Sequence, residues 1–318
     1  MIGVVGAGAF GTSLAVALAR EGRQVMLYAR DGAGVMQSAR ENARRLPGVV
    51  FPDGLTVTDD IDRLAQSEVV LISTPMQALR GFLSGPGKVL DGKPLVACCK
   101  GVDLSTLTGP LAVIRATCPN ATPALLTGPS FAADIARGLP TALTLACADA
   151  DQGQRLQNVL STPVLRLYRT EDTIGAELGG ALKNVIAIAA GVVIGAGLGD
   201  SARAALMTRG YAEMVRLAAH LGARAETLAG LSGLGDLVLT CTSHQSRNFR
   251  FGQALGAGDG FDPSVTVEGA ATARAITALA AREGLDLPVT AMVAALVAGQ
   301  TTLNDAVATL LSRPLKQE

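Results

Sequence analysis

Hydrophobic and polar positions along this chain fall into two textures. In the first half, short apolar stretches recur, each closed by glycine, proline or a charged residue: Ile2 to Val5, Gln24 to Ala29, Val69 to Thr74, Leu95 to Cys99, Leu125 to Thr127, Thr141 to Cys147 and Val164 to Tyr168. Stretches this short and this continuously aliphatic are the pattern of strands buried on both faces, and the segments between them, such as Thr12 to Arg20, have helical period. Near Asp172 the texture changes to long Ala/Leu/Gly-rich segments. The pattern predicts an α/β chain: a doubly wound sheet domain over residues 1–172, then an all-helical domain over 173–318.

The first strand runs directly into Gly6-Ala7-Gly8-Ala9-Phe10-Gly11 and a helix. Glycines at this spacing permit a tight turn, close approach of a pyrophosphate and close helix–strand packing, while the helix N-terminus offers free amides to the anion. This predicts a Rossmann-type dinucleotide site. The second strand ends at Arg30-Asp31, where a carboxylate bonds the ribose hydroxyls of NAD and an arginine pairs with the extra phosphate of NADP. Arg30 comes first, so the expectation is NADPH in preference to NADH, with Asp31 pulling the other way. Three further strands end at Pro75, at Lys100-Gly101 and at Gly128-Pro129-Ser130. Ligands in such a sheet sit beyond the carboxyl ends of the strands, so Pro75, Lys100 and Ser130 are expected to face the crevice of the glycine loop.

The chemistry is expected to centre on Glu177 to Gly191, an apolar helix carrying Lys183 and Asn184. It is too short and glycine-interrupted to read as a membrane span. Burial disfavours the charged form of a lysine and moves its pKa toward the range where it can exchange a proton. A lysine snorkelling to water fits the local pattern equally well. Composition sharpens the choice, because the 27 cationic residues comprise 22 arginines and only Lys88, Lys93, Lys100, Lys183 and Lys316.

Further along come Thr208-Arg209-Gly210, then a helix from Tyr211 to Leu221. Gly233-Leu234-Gly235-Asp236 and Ser246-Arg247-Asn248 follow, the latter a hydroxyl, a guanidinium and an amide suited to a phosphate. Gly256 to Pro263 reads as a loop, and Glu268-Gly269 opens amphipathic helices through Leu311. Formal net charge is zero and aromatic content 3%, which argues against nucleic acid or an anionic membrane as partner and for a small molecule. Five cysteines without a CxxC pair, no basic leader and two histidines outside any ligand spacing point to a cytoplasmic protein without a metal site.

Taken together, GAGAFGTSLA at Gly6, LPG at Leu46, CKG at Cys99, GPSFA at Gly128, ELGGALKNVIAIAAG at Glu177, TRG at Thr208, GLGDLVLTC at Gly233, SRN at Ser246 and VEG at Val267 resemble the bacterial NAD(P)-dependent glycerol-3-phosphate dehydrogenase family along nearly the whole chain. The resemblance implies a cytoplasmic homodimer that interconverts dihydroxyacetone phosphate and sn-glycerol 3-phosphate with NADPH or NADH, feeding phospholipid synthesis. It makes Lys183 the proton donor and acceptor. It assigns Lys100, Gly128, Ser130, Lys183, Asp236, Ser246, Arg247 and Asn248 to the substrate, and Gly6, Gly8, Ala9, Phe10, Gly11, Arg30, Lys100, Ala132, Arg247 and Glu268 to the cofactor. Tyr28, Asp134 and Ser201 stand where the family more often has tryptophan, glutamate and asparagine. Two rival readings remain: a relative acting on a hydroxy acid such as 6-phosphogluconate, separable by substrate assays, and a protein that senses NADPH without oxidising it, against which Lys100 and Lys183 argue.

Overall fold

The computed structural model describes residues 1–311; Lys316 and the end of the expected helical domain lie outside them. In the first half, strands and helices follow one another as β1 (Ile2–Val5), α1 (Ala9–Arg20), β2 (Val25–Tyr28), α2 (Ala33–Ala39), β3 (Glu41–Asn42), β4 (Leu46–Val50), β5 (Leu55–Thr58), β6 (Val69–Ile72), α3 (Met76–Ser84), β7 (Pro94–Ala97), α4 (Pro110–Thr117), β8 (Thr122–Thr127), α5 (Ala132–Arg137), β9 (Thr141–Ala146), α6 (Ala150–Leu160) and β10 (Leu165–Thr170). Eight strands form one sheet in the order β10-β9-β8-β7-β6-β1-β2-β5. All neighbours are parallel except β8 and β9. Parallel pairing needs crossovers, and crossovers put helices on both faces. Val4, Leu27 and Leu71 accordingly pack on one face with α1 residues such as Leu14, while Val5, Val70 and Ile72 pack on the other with Leu79 and Leu111.

Two features escaped the hydrophobic pattern. The edge strand β5 and the two-stranded ribbon β3–β4 were not expected, because LTVT mixes polar with apolar positions and the ribbon is mostly exposed. Strands β9 and β10 run opposite to the rest, so only β1, β2 and β5 to β8 send their carboxyl ends to the crevice. The sheet order reverses between β1 and β6, which places the glycine loop at the switch point where such sheets bind ligands.

The described residues after Thr170 are helical: α7 (Thr173–Gly195), α8 (Gly199–His220), α9 (Ala225–Ala229), a π-helical turn at Leu231–Gly235, α10 (Asp236–Thr242), α11 (Arg247–Ala257), α12 (Glu268–Glu283), α13 (Pro288–Val297) and α14 (Leu303–Leu311). Asp172 caps α7, accepting from the Gly175 amide at 2.9 Å. By length and composition α7 could cross a membrane, but 83% of its apolar window is buried inside the protein. It is the hub of the helical half. Against it α11 lies so close that a Cβ at Gly252 would overlap the Ile188 carbonyl, and this contact holds the first turn of α11 near the middle of α7. Thr208-Arg209-Gly210 was expected to precede a helix starting at Tyr211, yet it lies inside α8. Gly210 does not break that helix because the Ile186 side chain packs against it.

Candidate active site

Lys183 reaches the interface of the two halves from α7, and Lys100 reaches it from the segment just past β7. Asp236, the first residue of α10, joins them. It is 0% exposed. Its Oδ1 accepts from Lys183 Nζ at 2.7 Å and its Oδ2 from Lys100 Nζ at 2.6 Å. Lys183 Nζ also donates to Thr240 Oγ1 at 2.8 Å, and Lys100 Nζ to the Gly128 carbonyl at 3.2 Å. The Thr240 hydroxyl in turn donates to Asp236 Oδ1 at 3.2 Å.

The electrostatics follow from this geometry. Burial brings the Lys183 ammonium down from its ordinary value of 10.5 to about 8, opposed by the attraction of Asp236 and assisted by the repulsion of Lys100. Burial alone would raise Asp236, but the two lysines outweigh it and hold the carboxyl below its ordinary value. The result is a buried ammonium near neutrality, kept in one orientation by two acceptors. Such a group can give or take a proton at physiological pH without large cost.

Other expected residues surround this cluster with varied roles. Ser130 Oγ donates to the Gly128 carbonyl at 3.2 Å. Ser246 caps α11, its Oγ accepting from the Phe249 amide at 3.2 Å, so its oxygen serves the fold while its proton stays available. Asn248 ties three helices: its Nδ2 donates to Asn184 Oδ1 at 2.9 Å and its Oδ1 accepts from the Gly269 amide at 3.0 Å. One amide proton of Asn248 is then left for a ligand. Arg247 is exposed at the start of α11, and no hydrogen bond or ion pair fixes its guanidinium among the described residues. Glu268 opens α12; burial raises its pKa, with Arg247 pulling it back down and Lys100 and Lys183 doing so more weakly. Asp236, expected to bind the substrate, has both oxygens engaged by lysines.

At the other end of the crevice, Gly6 takes φ +100°, a conformation open to glycine, and a Cβ at Gly11 would overlap the Gly6 carbonyl oxygen. Gly8 has no neighbouring atom within 4 Å of where a Cβ would stand, and no side chain caps α1. The amides of Ala9, Phe10 and Gly11 therefore lack partners from the helix or a cap and lie beside an open cradle, which suits a pyrophosphate. Ala132 is the first residue of α5. Arg30 lies two residues beyond Tyr28, whose carbonyl accepts from the Gly6 amide at 3.1 Å, so it flanks the loop. Its guanidinium meets Asp31 at 3.0 Å, with the two side chains 86% and 77% exposed, a pairing that water screens heavily. Of the atypical positions, Tyr28 packs against Phe82, Asp134 pairs with Arg137 at 2.6 Å and Ser201 is exposed.

Thr240 was missed in the sequence. Its signal was present, since Asp236 and Thr240 are four apart and share a helix face once α10 is recognised. Glu177 was quoted only as part of a motif. Its carboxylate accepts from the Leu111 amide at 2.7 Å, and burial raises its pKa to about 7.

The family model describing the NAD-dependent glycerol-3-phosphate dehydrogenase N-terminus matches residues 1–153, and the one describing the C-terminus matches 172–308. A Cereibacter sphaeroides protein named glycerol-3-phosphate dehydrogenase [NAD(P)+] is 64% identical over 318 residues, covering 100% of both chains. A Ruegeria protein of the same name is 61% identical over 318 residues, covering 100% of this chain and 99% of its own. The solved glycerol-3-phosphate dehydrogenase of Coxiella burnetii superposes with a TM-score of 0.92 at 37% identity, covering 98% of each chain.

Proposed function

The chain belongs to the NAD-dependent glycerol-3-phosphate dehydrogenase family, an oxidoreductase that interconverts dihydroxyacetone phosphate and sn-glycerol 3-phosphate with NADH or NADPH, and on that premise we propose how its residues divide the work. Lys183 is the proton donor in reduction and the acceptor in oxidation. The observation that carries this is its buried Nζ between Asp236 and Thr240, with a pKa of about 8.

The nicotinamide, when bound, supplies or takes the hydride at C2 of the three-carbon substrate. Lys183 Nζ delivers a proton to the C2 oxygen as it gains charge, and Lys100 adds a second positive group 2.6 Å from the shared carboxylate. Fixed charges in a closed cleft stabilise the developing oxyanion without reorganising at the moment of reaction. Asp236 holds the two ammonium groups together, and Thr240 fixes the direction of the Lys183 Nζ–H bonds. Arg247, with Ser246 and Asn248, grips the substrate phosphate. Gly128 and Ser130 shape the substrate side of the crevice. The loop Gly6 to Gly11, with Arg30, Ala132, Glu268 and shared contributions from Lys100 and Arg247, holds the cofactor, with NADPH favoured through Arg30.

The same reading divides the chain at 172/173 into cofactor and substrate halves and makes it a cytoplasmic homodimer, as the family resemblance implies. Five buried, unpaired cysteines support a reducing compartment. The decisive experiment follows NADPH absorbance with dihydroxyacetone phosphate for the wild type and Lys183→Arg. Loss of turnover with cofactor affinity retained supports the assignment, because guanidinium does not release a proton near neutrality. Wild-type turnover in the variant removes Lys183 from proton transfer.

A further inference from the structure

The ribbon β3–β4 has no part in the chemistry described above, yet it sends one buried polar side chain into the glycine loop. Asn42 is 3% exposed. Its Nδ2 donates to the Ala7 carbonyl at 3.0 Å and to Thr12 Oγ1 at 2.9 Å, while its Oδ1 accepts from the Arg45 amide at 3.3 Å in its own turn. Ala7 lies between the first two glycines of the loop, and Thr12 lies in the first turns of α1. One amide group thus joins the ribbon, the loop and the helix that follows it.

The bond to Ala7 has a directional consequence. In a planar trans peptide the carbonyl of one residue and the N–H of the next point in opposite directions. With the Ala7 carbonyl turned to Asn42, the Gly8 N–H points to the other side and no protein atom accepts it among the described residues, while the space where a Cβ of Gly8 would stand is also open. A flip of this plane turns ψ of Ala7 and φ of Gly8, and glycine takes φ of either sign, so the plane is free to flip in the absence of a restraint. A flip would present a carbonyl, a partial negative charge, to the anion that the loop is built to receive.

We propose that Asn42 is a positioning residue for the cofactor, locking the Ala7–Gly8 peptide so that the Gly8 amide faces the pyrophosphate seat before the cofactor arrives. This rests on the reading of the glycine loop as that seat. Pre-organisation of a donor increases affinity by removing the ordering cost from the binding step. Asn42 touches neither substrate nor reacting atoms, so its effect belongs in cofactor affinity and not in turnover.

The test uses the full-length enzyme and measures NADPH dissociation constants by fluorescence titration, with melting temperature and steady-state kinetics alongside. Asn42→Leu removes the amide and keeps the branched outline with the same number of heavy atoms; Asn42→Asp keeps the acceptor for Arg45 and replaces the donors with a charged carboxylate oxygen. Asn42→Leu is expected to weaken NADPH binding on the order of tenfold, as loss of an uncharged hydrogen-bond donor does, and Asn42→Asp by more because it adds a negative charge beside the anion seat, with kcat at saturating cofactor within about twofold for both. Hydrogen exchange in the cofactor-free protein should quicken over residues 5–12 and stay unchanged over α7. Thr12→Val, which removes one of the two acceptors, should weaken NADPH by about threefold and decides the matter if the Asn42 variants do not fold. Unchanged NADPH affinity, or a parallel fall of affinity, kcat and melting temperature, overturns the proposal. Gly8→Asp keeps the two readings apart, since it puts a carboxylate into the cradle itself. If that variant binds NADPH normally, the seat is elsewhere; if it loses binding while the Asn42 variants do not, only the role of Asn42 fails.

Discussion

Asp236→Asn isolates the electrostatic logic of the site. The substitution preserves shape and removes the negative charge that two ammonium groups share at 2.6 and 2.7 Å. Keeping both lysines charged around a neutral amide would cost about 3–5 kcal/mol, the usual penalty for breaking a buried ion pair from one side. Lys183 has a lower-energy alternative. With a pKa of about 8, releasing its proton at pH 7 costs about 1.4 kcal/mol, one pKa unit, and less once the attraction of Asp236 is gone. Deprotonation therefore wins, the variant folds, and the electrostatic loss of stability stays below the smaller figure. The enzymatic consequence is larger, because a neutral Lys183 cannot donate to the C2 oxygen.

In the wild type, the protonated lysine is the active form for ketone reduction, so kcat/KM for dihydroxyacetone phosphate should fall as pH rises through about 8. Oxidation of glycerol 3-phosphate needs the neutral amine and should rise through the same point. In Asp236→Asn both midpoints should move acidward by at least about one unit, lowering reduction at pH 7.5 by roughly threefold or more and sparing oxidation by comparison. Following NADPH absorbance in both directions across pH measures this. A variant whose midpoints stay near those of the wild type would refute the claim that Asp236 sets the proton affinity of Lys183.

Thr240→Val keeps size and removes the second acceptor of Lys183; kcat should fall on the order of tenfold with KM for the cofactor unchanged, and equal effects on both parameters would make Thr240 a packing residue. Arg247→Ala should lower kcat/KM for dihydroxyacetone phosphate by about ten- to a hundredfold, the value of a charged hydrogen bond to phosphate, and much less for unphosphorylated dihydroxyacetone; parallel assays at saturating NADPH show the contrast, and equal losses would assign Arg247 to the cofactor or the fold. Arg30→Ala should lower the ratio of NADPH to NADH efficiency by about tenfold, and an unchanged ratio would show that its exposed pairing with Asp31 has no part in cofactor choice.

The sequence by itself determined the architecture and the identity of the chemical groups. Continuous apolar runs such as Val69 to Ile72 can be satisfied only by burial on both faces, so the parallel sheet was legible, as was the glycine loop, whose steric demands are local. Lys183 and Lys100 stood out because lysine is rare in this chain and both lie in apolar stretches. Pairing was another matter. That Asp236 lies between those lysines depends on long-range packing across 136 and 53 residues, and no local pattern encodes it. Read alone, Asp236 looks like a helix-start carboxylate, and only burial with two ammonium groups beside it makes it the centre of the site. The same holds for Asn42. Its ribbon is too short and too polar to announce itself, and its side chain acquires meaning only where the fold brings it within hydrogen-bond reach of Ala7. Short-range sterics and hydrophobic period are written residue by residue, whereas proton affinities and the orientation of a peptide plane arise from which distant groups the tertiary structure forces together without water between them.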